Sequence, residues 1–156
     1  MRLRMGEVAD SLESACGVPE RVVQGYSIDS RSLQPGELFF ALLGPRFDGH
    51  HFVAAALARG AAGAVVNEAF ATSCDSSLRS VLIPVRDTVQ ALQHLARSVR
   101  RKWGKRVVAV TGSTGKTTTK EMIAAILGEC LAVHKSPGNL NNYYGLPGPA
   151  GARTSP

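Results

Sequence analysis

Cysteine chemistry, long apolar runs and internal repeats are all missing from this sequence. Its three cysteines, Cys16, Cys74 and Cys130, are odd in number, widely spaced and include no CxxC. That argues against a disulfide framework or a zinc site and leaves reduced thiols. No apolar run approaches the ~20 residues needed to cross a bilayer. The amino-terminal stretch MRLRMGEVADSLES meets acids before a signal-like apolar core forms, so a cytoplasmic chain without a membrane span is expected. With 44% hydrophobic and 19% charged residues, collagen-like and tail-like classes are excluded and a soluble globular protein remains. At 156 residues the chain suffices for one ordinary domain, or for one small domain and part of a second.

Acidic residues are scarce only in the last third. Residues 1–98 hold nine Lys/Arg against ten Asp/Glu, whereas residues 99–156 hold nine against two. Arg100, Arg101, Lys102, Lys105 and Arg106 fall within seven positions. No aromatic interleaving or nucleic-acid module accompanies them, so the cluster reads as a solvated helix end and no nucleic-acid partner is expected.

Helical and strand patterns alternate, which predicts an α/β protein. Val8, Leu12, Ala15 and Cys16 fall at helical spacing before Gly17 and Pro19. Pro35-Gly36 is a turn, and Leu38 to Leu42 suit a buried strand. Asp48-Gly49 turns the chain into a helix ending at Gly60, followed by strands near Ala64 to Val66 and at SVLIPV, which ends at Val85. From Asp87, a suitable N-cap, Leu92, Leu95, Val99 and Trp103 share one helical face until Gly104. RVVAV at 106–110 then reads as a buried strand, followed by a glycine loop and a helix with Met122, Ile123, Ile126, Leu127 and Cys130 on its core face.

The loop Thr111-Gly112-Ser113-Thr114-Gly115-Lys116-Thr117-Thr118 carries the strongest chemical signal. Cradling phosphate requires close backbone approach, free N–H groups at a helix start, a cation and a hydroxyl for a metal. Gly112, Gly115, Lys116 and Thr117 supply these, with Lys116 directed to β/γ-phosphates and Thr117 to Mg²⁺. The strict G-x-x-x-x-G-K-[ST] pattern fails at its first position, which is Val110. Earlier in the chain, Ser30 and Arg31 read either as an anion-binding turn or as an exposed loop in which Asp29 and Arg31 pair locally. Asn139, Asn141 and Asn142 offer uncharged amides for phosphates or metal-bound water, or simply form turns. His50-His51 lack the spacing of a metal site.

VAVTGSTGKTTTKEM resembles the ATP loop of the Mur ligases, whose loop departs from the strict pattern in the same way. The related folylpolyglutamate synthetases resemble it too, but typically carry Gly-Ser where this chain has Thr117-Thr118. Lys120-Glu121-Met122 looks most like the family member that adds D-alanyl-D-alanine to UDP-N-acetylmuramoyl tripeptide. KSPGNLNNYYGLP and DSRSLQPGELFFALLGPRFDGHHF are similar to two further stretches of that member, so that the resemblance covers roughly residues 5–147. Where the family often has Lys before the Gly of its A-L-x-G turn, this chain has Leu43.

The resemblance implies a UDP-sugar-binding α/β domain at 1–85, a connecting helix at 86–104, and at 105–156 the first strand, P-loop and helix of a parallel-sheet ATPase domain. It implies ATP and Mg²⁺ as cofactors, with nucleotide contacts at 111–118, Asn139 and Asn142, a catalytic Lys116, and metal contact at Thr117. Ser30, Arg31, Asp48 and Gly49 are the implied substrate contacts. Family members form an acyl phosphate that the amine of D-alanyl-D-alanine displaces, and act as monomers when intact. Their acidic magnesium ligand, carbamylated lysine and carboxyl-terminal domain have no counterpart here. The tail GPAGARTSP at 148–156 is unlike the apolar helix expected next, so a truncated or frameshifted product, inactive alone, is expected. The readings left beside this one are another Mur-type, folylpolyglutamate-type or cyanophycin-type ligase fragment, and a non-catalytic UDP-sugar-binding module.

Overall fold

Short, nearly continuous apolar runs build the centre of the molecule. The computed structural model describes residues 3–14, 17, 19–44 and 47–136. The short strands β1 (Leu3–Arg4) and β2 (Val22–Val23) pair antiparallel. Strands β3 (Gly25–Ser27), β4 (Glu37–Phe40), β5 (Gly63–Asn67) and β6 (Leu82–Val85) form a four-stranded parallel sheet in chain order. Tyr26 sits opposite Leu38, Phe39 opposite Ala64, and Val65 opposite Ile83. Pro84 lies in β6, an edge strand, where its missing N–H withdraws no hydrogen bond from the ladder interior.

Successive side chains point to opposite faces of a strand, so the sheet is buried on both. Leu38, Phe40, Val65, Ile83 and Val85 pack with Met5 and Val8 of α1 (Met5–Ser11) and with Ala91, Leu92 and Leu95 of α5 (Thr88–Trp103). On the other face Phe39, Ala64, Val66 and Leu82 meet Val53 and Ala56 of α2 (Val53–Ala58), Phe70 of α3 (Glu68–Ser73) and Leu78 of α4 (Ser76–Arg79). A 3-10 turn, Gly49–Phe52, leads into α2.

Helix α5 begins where the sequence predicts. The Asp87 carboxylate accepts from the amides of Val89 and Gln90 at 2.8 and 3.0 Å, and Gly104 closes the helix in the left-handed region at φ +65°. Its basic end is solvated, with Arg100 lying 5.4 Å from the Trp103 ring and Lys102 pairing with Glu7. Helix α1 stops at Ser11, earlier than its apolar spacing predicts, while Ala15 and Cys16 lie outside the described residues. Strands β1, β2 and β3 and helices α3 and α4 were not foreseen, because elements of two to six residues carry too few apolar repeats to reveal a period.

Two expectations for the later part are corrected. Residues 106–110 form no strand, and Val107 and Val108 are exposed, because no described strand lies beside them to complete a ladder. Helix α6 (Lys116–Gly128) does form, but none of its residues is buried, and Met122 and Ile126 are 60% and 69% exposed. An apolar stripe selects a buried face only when another element is there to receive it.

Candidate functional site

Around the glycine loop, conformation follows from residue type. Gly112 and Gly115 take φ values of +148° and +75°, a region that L side chains rarely enter. Gly115 is the N-cap of α6, and since it has no side chain to cap with, the first-turn amides are not occupied by one. The Gly115 carbonyl accepts from Thr119 at 2.9 Å, starting the helical ladder. Lys116 folds back so that its ammonium donates to the carbonyls of Gly112 and Ser113, the latter at 3.3 Å. Thr111, Ser113, Thr114, Thr117 and Thr118 are exposed along the same stretch. An open glycine turn, a helix start and an ammonium held over the loop together match the chemistry of a polyphosphate. Asn139 and Asn142 lie outside the described residues.

The earlier candidates gather elsewhere, at the carboxyl edge of the sheet. In a parallel sheet every strand ends on the same edge, so the segments after β3, β4 and β5 converge there. After β3, the Ser27 hydroxyl donates to the Asp29 carbonyl at 2.9 Å and accepts from the Asp29 amide at 3.2 Å. Asp29 Oδ1 accepts from the Arg31 amide at 2.9 Å and from Nε at 3.0 Å, while Oδ2 accepts from Nη2 at 2.8 Å. This fork holds the Asp29 carboxyl down at about 2. Ser30 is buried beneath the turn, whereas the Arg31 side chain is exposed. The local ion pair weighed from the sequence therefore exists, and it orients the guanidinium at the edge of the sheet.

After β4, Leu43 and Asp48 bridge across a loop that exposes Leu43 and Phe47. Gly49 follows with its amide donating to the Leu42 carbonyl at 2.9 Å. A Cβ there would stand 2.8 Å from both the N and O of Leu42, so only glycine allows this approach. Asp48 caps the turn and its carboxylate lies below its ordinary range, chiefly because the His50 amide donates to it.

His50, 4% exposed, was missed as a structural residue. Its Nε2 accepts from the Asn67 amide at 2.9 Å, which makes Nδ1 the protonated nitrogen that donates to Asp48 at 2.5 Å. The imidazole thus ties the turn after β4 to the end of β5. Asn67 in turn caps α3 by accepting from Phe70 at 2.7 Å. Asp-x-His at a helix start was the available signal. No cluster of three or more His, Cys, Asp or Glu suited to a metal exists among the described residues.

Residues 22–100 match the family model described as Mur ligase family, catalytic domain, and residues 110–150 match Mur ligase middle domain. The chain belongs to the Mur ligase family. The carboxyl-edge turns fall in the first matched region of this Mur ligase chain, and the phosphate loop falls in the second. The UDP-N-acetylmuramoyl-tripeptide--D-alanyl-D-alanine ligase of Bacillus subtilis is 44% identical over 128 residues, covering 82% of this chain and 27% of its own length. A MurF crystal structure from Acinetobacter baumannii superposes with TM-score 0.79 at 33% identity, covering 94% of this chain and 32% of that one. MurF from Thermotoga maritima, determined in complex with ADP, gives 0.67 at 36% identity over 80% of this chain and 28% of its own. The Mur ligase chain therefore spans about a quarter to a third of the length of these relatives.

Proposed function

We propose that this chain carries the nucleotide-sugar end and the phosphate loop of an ATP-dependent cytoplasmic ligase that joins D-alanyl-D-alanine to UDP-N-acetylmuramoyl tripeptide. The observation that carries the reading is the pairing, in one Mur ligase chain, of a buried-serine and arginine turn at the sheet edge with a glycine loop opening a helix. The B. subtilis relative that bears this name supports the choice of substrates.

In this reading the amides of Gly112, Ser113 and Thr114 and the Lys116 ammonium hold the β- and γ-phosphates, and the Thr117 hydroxyl faces Mg²⁺. The donor set fits the group. Gly115 has open space where a Cβ would stand, and Lys116 already lies over the loop carbonyls. Bound ATP supplies the phosphoryl group that makes a peptide carboxylate reactive. Lys116 exchanges its contacts with carbonyl oxygens for phosphate oxygens. At the sheet edge, Arg31 presents the outer side of its guanidinium to the diphosphate of the UDP-sugar while Asp29 holds its orientation. Ser30 and the Asp48-Gly49 turn complete the substrate edge.

The chain by itself is inactive in this reading, because closing over a reactive acyl group requires walls that residues 105–136, none of them buried, do not supply. Calorimetry with Mg·ATP tests it. Lys116→Ala is expected to weaken binding roughly ten- to hundredfold, the loss of charge-assisted hydrogen bonds of ~1.5–3 kcal/mol. Equal affinity of the two proteins would reject the loop assignment. In the same preparation, no pentapeptide product is expected by mass spectrometry. Product that disappears in Lys116→Ala would show the chain to be competent alone.

A further inference from the structure

Helix α5 has a second face that the nucleotide and substrate sites do not use. His94, Arg97 and Arg101 stand three and four residues apart, which aligns them on one stripe beside the buried Leu92 and Leu95. Ser98 lies next to the stripe, and Ser11 of α1 closes the opposite wall with the two hydroxyl oxygens 3.4 Å apart, the Ser11 hydroxyl itself donating to the Glu7 carbonyl at 2.7 Å. These residues and Lys102 line an open cleft of about 400 Å³.

The charge of the cleft is of one sign. Lys102 is the one cation there that is partnered, by Glu7 at 3.3 Å, while the Arg97 and Arg101 side chains make no hydrogen bond or ion pair with a described residue. Arg97 and Arg101 sit at i and i+4, where like charges repel, and no acid at that spacing relieves them. Planar guanidinium forks, an ammonium and the Ser98 hydroxyl match an anion that carries several phosphate oxygens.

We propose that the cleft between α1 and α5 binds an anion bearing two or three linked phosphates, at a site that shares no residue with the loop at 111–118. One phosphate is held by the Arg97 and Arg101 forks, and the next is reached by the Ser98 hydroxyl and by Lys102, which exchanges its contact with Glu7.

Tripolyphosphate titrated without Mg²⁺ into the full chain tests this. Lys116→Ala serves as the starting protein, so that the loop site is weakened and the His94 resonances report the cleft. In that protein, titration is expected to be saturable and to shift the His94 imidazole resonances. Adding Arg97→Gln and Arg101→Gln is expected to weaken binding at least tenfold and to abolish those shifts. Both arginines are exposed, so the variant keeps its fold, which its unchanged circular dichroism checks. No saturable binding to the starting protein, less than a tenfold loss in the arginine variant, or an equal response to sulfate at matched ionic strength would overturn the proposal.

Discussion

Asp29 and Arg31 form a device whose pH behaviour is readable from its geometry. The folded carboxyl sits at about 2, below the ~3.9 of an unfolded chain. The stability it contributes is therefore full above the unfolded value and is lost as pH falls through about 2. Because both side chains are solvated, that contribution is small. Arg31→Ala removes the fork, and the Asp29 carboxyl carbon is expected to titrate near 4 by NMR instead of about 2. His50 works differently, since it is buried and satisfies two neighbours at once. His50→Ala leaves the Asn67 amide without its acceptor and opens a void, at a cost of about 1–3 kcal/mol for the unsatisfied donor alone. Urea unfolding measures this, and a variant as stable as the parent would show that the imidazole is dispensable.

Helix α5 shows how one element serves two purposes. Its apolar stripe, legible from the spacing of Leu92, Leu95 and Val99, closes one face of the sheet. Leu92 is completely buried, so Leu92→Ala is expected to cost about 2–5 kcal/mol in chemical unfolding. Arg101→Ala, on the exposed stripe, is expected to stay within about 0.5 kcal/mol of the parent. Helix α6 is the counterexample. Its start is decided locally by Gly115, and good helix formers such as Lys120, Glu121, Met122, Ala124, Ala125 and Leu127 carry it on, yet its apolar side chains find nothing described to bury against.

Across the whole molecule, burial is concentrated before residue 104. Met5, Val8, Leu38, Phe40, Val65, Ile83 and Leu92 all belong to one core, whereas no described residue after Leu95 is buried. A chain shortened to residues 1–104 is therefore expected to unfold within about 2 °C of the full chain by calorimetry, with amides of 105–136 exchanging first. Ending instead at residue 85 removes Ala91, Leu92 and Leu95 from the core, and that chain is expected to lose cooperative unfolding. If the two shortened chains were equally stable, α5 would be only a connector.

Local chemistry settled what the sequence by itself determined. The apolar run LFFAL, the Asp87 and Gly104 ends of α5, the Asp48-Gly49 turn and the glycine loop before Lys116 each depend on neighbours within a few residues. The parallel order of the sheet, the convergence of the Arg31 and Asp48 turns on one edge, and the two-sided tether made by His50 depend on residues far apart in the chain. Only tertiary structure decides these, because hydrogen-bond partners such as Asn67 for His50 are chosen by packing. The same dependence explains the one strand expected at 106–110. Its apolar, β-branched run is a property of the sequence, but a strand exists only beside another strand, and none of the described residues supplies one.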